Sequence, residues 1–123
     1  MPRVAHFEIC ADDVARAVSF YQHVFGWEIR KWDGPHDYWV VITGDDTEVP
    51  GINGGIVDRR DSFSGSINLI DVPALDNALL RVVEANGTII HSRSTFPGVG
   101  YIAYCRDSEG NPFGLIERDD MAA

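Results

Sequence analysis

His6-Phe7-Glu8-Ile9, followed by Phe20-Tyr21 and then Phe25-Gly26-Trp27, is the stretch that decides the fold, because it returns later in altered form. The weaker copy runs from Ser66 through Ile67-Asn68-Leu69-Ile70 to Asn86-Gly87. His6 and Ser66 are 60 positions apart and Gly26 and Gly87 are 61 apart, so one strand-helix unit occurs twice.

The periodicity within each copy supports the repeat. Val14, Ala17, Val18, Tyr21, Val24 and Phe25 make the apolar stripe of an amphipathic helix, with Asp12 or Asp13 to cap its start and Gly26 to end it in the left-handed conformation. In the second copy Leu75, Ala78, Leu79, Val82 and Val83 make the same stripe. Asp71 is available as a cap, Pro73 falls in the opening turn, and Asn86-Gly87 is the stop. After each helix the pattern changes to that of strands, near 27–33, 38–44 and 53–58 and again near 88–93, 101–106 and 112–117. Asp33-Gly34-Pro35 and Gly44-Asp45-Asp46-Thr47 separate the first set, and Asp107 to Asn111 reads as a hairpin turn in the second. Each half is therefore β-α-β-β-β, and the predicted fold class is α+β with eight strands and two helices.

Composition predicts one compact domain over residues 1–123, with module one at about 1–60 and module two at about 61–118. The chain has 123 residues, 45% of them hydrophobic, which is close to the usual size of a single domain. With 10 basic against 19 acidic residues the net charge is −9, which repels phosphate backbones and anionic membranes. No nucleic-acid partner is expected. The absence of a charged-then-apolar leader and of an apolar run of ~18 residues predicts neither export nor a membrane span. Cys10 and Cys105 read as reduced, at least partly buried thiols, and the expected location is cytoplasmic.

The chain resembles the vicinal oxygen chelate superfamily, which holds glyoxalase I, extradiol dioxygenases and bleomycin-resistance proteins. The resemblance is carried by His6-Phe7-Glu8-Ile9, Arg16-Ala17 with Phe20-Tyr21, and Phe25-Gly26-Trp27. It continues through Gly51-Ile52-Asn53-Gly54-Gly55 and through Asp107 to Asn111 followed by Phe113-Gly114. Within the superfamily the likeness is to the small proteins related to lactoylglutathione lyase. It implies two βαβββ modules forming a curved eight-stranded sheet around a cup, and a homodimer.

The resemblance also implies where a metal would sit. Metal-dependent members take one ligand from the first strand and one from the last strand of each module. These positions match His6, its repeat partner Ser66, Gly114, and Gly54 or its neighbours Asn53 and Gly55. Only His6 is a good ligand, and a divalent ion held against water needs about three strong donors. Glu8, two residues along the same strand face, is the best substitute, so no tightly bound metal is expected; His6 and Glu8 would serve any weakly held divalent ion. Desolvation in an apolar cup would raise the Glu8 pKa and make it a candidate general base with His6 beside it, or else an internal ion pair with no catalytic duty.

Other residues complete the predicted pocket. Tyr38 and Trp39 face opposite sides of a strand, as do Tyr101 and Tyr104, so one of each pair joins His6, Glu8, Ser66 and Asn68 in a site for a small amphiphilic molecule. Phe20, Tyr21, Phe25 and Trp27 read as core. Phe96-Pro97-Gly98-Val99-Gly100 reads either as a mobile rim with Phe96 over the ligand or as an ordinary connection. The function that follows is binding of a small organic molecule at a degenerate metal site. A lyase or isomerase with Glu8 as base, or one using a weakly held metal, is the alternative.

Overall fold

The computed structural model describes residues 2–45, 49–59, 63 and 65–123. Asp46 of the expected turn and the predicted module boundary at 60–61 lie outside the described residues. The element order is β1 (Arg3–Ala11), α1 (Val14–Phe25), β2 (Glu28–Lys31), β3 (Trp39–Ile42), β4 (Asn53–Asp58), β5 (Ser66–Asp71), α2 (Leu75–Glu84), β6 (Thr88–Phe96), β7 (Gly100–Arg106) and β8 (Pro112–Arg118). The eight strands and two helices are those the repeat predicts. The chain forms two compact units, His6–Ile67 and, second, residues 1–5 with Asn68–Ala123.

In the first unit the strand order is β2-β3-β4-β1, with β1 parallel to β4 and the other neighbours antiparallel. Asp13 caps α1 by accepting from the Arg16 amide at 3.1 Å, and Gly26 closes the helix at φ 69°. Ala11, Val14, Ile29, Val41 and Ile56 form the core between helix and sheet, with Phe7, Ile9 and Trp39 packed against it. Tyr21 stacks on Trp27 at 5.3 Å. Phe20 and Phe25, expected in the core, are instead 56% and 58% exposed. Phe20 flanks the helix stripe and meets the edge of Tyr21, whereas Phe25 is the last residue of α1 and lies over Trp27.

The second unit repeats the order as β5-β8-β7-β6, with β5 parallel to β8. Its core is Val72, Leu75, Leu79, Ala103, Cys105 and Leu115, and burial pushes the Cys105 thiol up to about 11. Asn86, at φ 71°, provides the left-handed stop expected after α2. The cap at the other end is not Asp71, which pairs with Arg118 at 3.1 Å. Glu117 on β8 supplies it, its Oε1 accepting from the Leu75 amide at 2.8 Å.

The 96–100 segment is the ordinary connection of the two readings. Phe96 is buried and pairs with Gly100 at the end of the β6–β7 hairpin. Gly98 N–H donates to the Ala122 carbonyl and Asp119 N–H to that of Val99, both at 2.9 Å, which ties the turn to the C-terminal residues.

Candidate functional site

On β1, Phe7, Ile9 and Ala11 face α1, so His6, Glu8 and Cys10 occupy the opposite face. Parallel pairing sets Asn53 beside His6, Gly55 beside Glu8 and Val57 beside Cys10. The His6 Nδ1 lies 3.2 Å from the Asn53 carbonyl oxygen. A carbonyl only accepts, so Nδ1 carries the proton in this contact, and the lone pair of the neutral ring is on Nε2.

Glu8 is fully enclosed at 0% exposure, the one buried charged side chain among the described residues. Gly55 has no side chain next to it, and a Cβ built there would run into the hydroxyl end of the Tyr38 ring. Tyr38 therefore fills the position beside Glu8 on the neighbouring strand. Trp39 packs with Ile56 on the α1 side, which settles which member of the Tyr38/Trp39 pair shares the face of His6 and Glu8. The first unit thus brings together His6, Glu8, Asn53 and Tyr38.

The second module places its predicted residues differently. Ile70 and Val72 pack toward α2, so Asn68 and Ser66, in step with them, also stand on the α2 side, and both are exposed. The helices start at Val14 and Leu75, an offset of 61 rather than 60. On that offset His6 corresponds to Ile67 and Glu8 to Leu69, not to Ser66 and Asn68. A slip of one residue in a period of two moves every side chain to the other face. Tyr101 packs against the α2-side core with Arg93 4.1 Å over its ring, whereas Tyr104 is on the opposite face with Leu69 and Gly114. Tyr104 meets His91 edge-on at 6.3 Å.

The donor set for a metal follows from this placement. The first module offers His6 and Glu8, while the second-module equivalents Ile67, Leu69 and Gly114 carry no donor atom. Gly54, one of the three neighbours considered for the fourth position, lies against Phe7 on the α1 side. Among the described residues no three His, Cys, Asp or Glu side chains form a group able to hold an ion. The residues present do not fit the four-ligand site of the metal-dependent members.

The eight-stranded sheet with its two helices is the glyoxalase-like fold of the solved structures that this chain resembles. Residues 3–44 match the family described as bleomycin resistance protein-like N-terminal. A hypothetical protein from Bacillus halodurans C-125 superposes with a TM-score of 0.68 at 13% identity, over 99% of this chain and 98% of that one. A Streptomyces coelicolor methylmalonyl-CoA epimerase in complex with 2-nitronate-propionyl-CoA gives 0.67 at 13% identity, over 98% and 97%. A methylmalonyl-CoA epimerase in complex with methylmalonyl-CoA and NH4+ gives 0.68 at 12%, over 100% and 99%. At such identities the likeness is one of fold. No curated protein matches the chain in sequence.

An apolar cup around Glu8 was expected from the sequence, but not the complete enclosure of its side chain or the Tyr38 ring beside it. A glutamate on a strand with an unknown partner strand gives no sign that it will be sealed, and the Gly54-Gly55 pair was the available signal. A strand with two glycines leaves room beside its neighbour, and here Tyr38 takes that room.

Proposed function

We propose that this protein binds a small organic molecule on the β1/β4 face of its first module, in the manner of glyoxalase and bleomycin-resistance relatives, without a tightly held metal. The observation that carries the reading is a fully buried carboxylate, Glu8, on the same strand face as the partly exposed His6. In this reading His6 and Tyr38 meet the ligand directly. A cationic or hydrogen-bond-donating group on the ligand would favour the ionised form of the Glu8 carboxyl beneath them against the desolvation that opposes it. Apolar-walled sites with a few placed polar groups suit amphiphilic molecules of this kind. The resemblance further supports a homodimer, and the two thiols, Cys10 and Cys105, support a cytoplasmic location.

A second reading, a lyase or isomerase of the type related to lactoylglutathione lyase, is favoured by the same enclosed carboxylate. A carboxylate shielded from water is the residue type for removing a proton next to a carbonyl, with Tyr38 or His6 to steady the enolate. The structural neighbours that are epimerases of CoA thioesters support such chemistry on this fold.

Titration with bleomycin and with a panel of cationic aromatic amines, in chelator and followed by 15N–1H spectra, tests the first reading. Saturable shifts centred on His6, Tyr38 and Asn53, weakened at least about tenfold in Glu8→Gln, are expected. Binding that survives Glu8→Gln unchanged, or shifts that avoid this face, would sink it. Turnover lost in Glu8→Gln while binding persists would favour the enzyme.

A further inference from the structure

A cleft of about 580 Å3 lies wholly within the second compact unit, on the α2 side of its sheet. It shares no residue with the His6–Glu8 face. Val72, Ala78, Val82 and Phe113 are the part of its apolar lining that belongs to or packs against the core under α2. Its polar rim consists of Asn77 and Arg81 from α2 and of Asp107 and Ser108 from the turn before β8.

The two rim charges differ in what they already touch. Asp107 Oδ1 accepts from the amides of Glu109 and Asn111 at 2.8 and 2.9 Å, and Oδ2 accepts from the Asn111 side chain at 3.2 Å. The Asn111 amide above all, then that of Glu109, holds its carboxyl below the usual range, so the charge is present and satisfied by its own turn. Arg81 has no ion pair among the described residues, whereas Arg59, Arg93 and Arg118 each hold a carboxylate at 2.7 to 3.1 Å. In a chain of net charge −9, the unmatched charge over this apolar cleft is positive.

Asn77 and Arg81 are four residues apart on α2, so their side chains stand on one face of the helix and can converge on one group. A guanidinium fork with an adjacent amide donor suits a planar carboxylate, which matches two parallel N–H donors. One guanidinium balances one negative charge, while a phosphate dianion would leave a charge uncompensated next to Asp107. We propose that this cleft is a binding site for an amphiphilic monocarboxylate, its apolar body against Val82 and Phe113 and its carboxylate on Arg81 and Asn77. The site is independent of the function proposed for the first module.

The test is a pair of 15N–1H titrations of the full chain, with 4-phenylbutanoate and with 4-phenylbutan-1-ol. Saturable shifts from the acid are expected at residues 74–87, 107, 108 and 113, with the alcohol at least about tenfold weaker. Arg81→Gln should weaken the acid by a similar factor. Ala85→Trp, at an exposed position lining the cleft, should block it while leaving the rest of the spectrum in place. Equal binding of acid and alcohol, unchanged affinity in Arg81→Gln, or shifts centred on His6 and Tyr38 would each overturn the assignment, as would no saturable shift up to roughly 10 mM acid.

Discussion

The two modules build the same strand-helix frame and put different chemistry on the face opposite their helices. In the first, β1 carries His6 and Glu8, and the glycine beside Glu8 leaves a space that the Tyr38 hydroxyl end occupies. In the second, β5 carries Ile67 and Leu69, and the glycine beside Leu69 leaves a space that Leu69 itself fills, its Cγ 3.0 Å from where a Cβ on Gly114 would be. The difference teaches that the repeat preserves backbone and helix packing while only the first module's opening strand carries a histidine and a carboxylate on the face away from its helix. A glycine on the last strand is common to both. What occupies its vacancy decides whether the face is a polar site or a piece of core.

The sharpest way to break this comparison is to move the charge. Leu69→Glu places the first module's carboxylate at the equivalent buried position of the second, where the residue two back along the strand is Ile67 rather than a histidine and Leu69 packs against Gly114 with Tyr104 next in register. The expected loss of stability is on the order of 3 kcal/mol or more, measured by denaturant unfolding at neutral pH. A loss under about 1 kcal/mol would mean that the second face accommodates a carboxylate as readily as the first, and the asymmetry drawn here would be wrong.

Which of these features could be read before the fold was known follows a physical line. Both helices, the Asp13 cap, the Gly26 stop and the Asn86-Gly87 stop depend on residues within a turn of one another, and the sequence displays all of them. The cap of α2 does not: Glu117 reaches the Leu75 amide from 42 residues away, and no local pattern announces it. The candidate site divides in the same way. His6 and Glu8 share a face because strand residues two apart always do, whereas assigning Ser66 and Asn68 to the matching face required the repeat offset to the nearest residue. Offsets of 60 and 61 were both visible, at the strand and at the helix end, and only packing against α2 decides between them. Phe25 likewise fits the helix stripe in projection, but it is the last residue of α1 and stands 58% exposed over Trp27.

The second module's intolerance of charge can be gauged independently through Cys105, which is fully buried and whose thiol is pushed up to about 11 from 9.0 by desolvation. The sign is set by linkage: the native thiol stays protonated between pH 9 and about 11 while the unfolded one ionises. The stabilising contribution is therefore complete below pH 9 and is lost as pH rises toward about 11. At about 1.4 kcal/mol per unit, unfolding free energy at pH 10 should have fallen by roughly 1 kcal/mol more in the native chain than in Cys105→Ala. Parallel pH profiles for the two proteins would show that the interior of the second module is wetter than its packing indicates.

The two glycines, tested against each other, sharpen the comparison most. In Gly114→Ala the new methyl meets the Leu69 side chain and the Ala103 carbonyl oxygen, so core must shift, and a loss of about 1–2 kcal/mol is expected. In Gly55→Ala the methyl meets the far end of the Tyr38 side chain, which can rotate away, so the loss should stay below about 1 kcal/mol. The cost in the first module should instead fall on function, as displacement of Tyr38 alters the face that His6 and Glu8 share. Denaturant unfolding of both variants, with ligand titration of Gly55→Ala, separates the outcomes. If Gly55→Ala proves the more destabilising of the two, Tyr38 is held as firmly as any core residue, and its place beside Glu8 is structural, as Leu69 is beside Gly114.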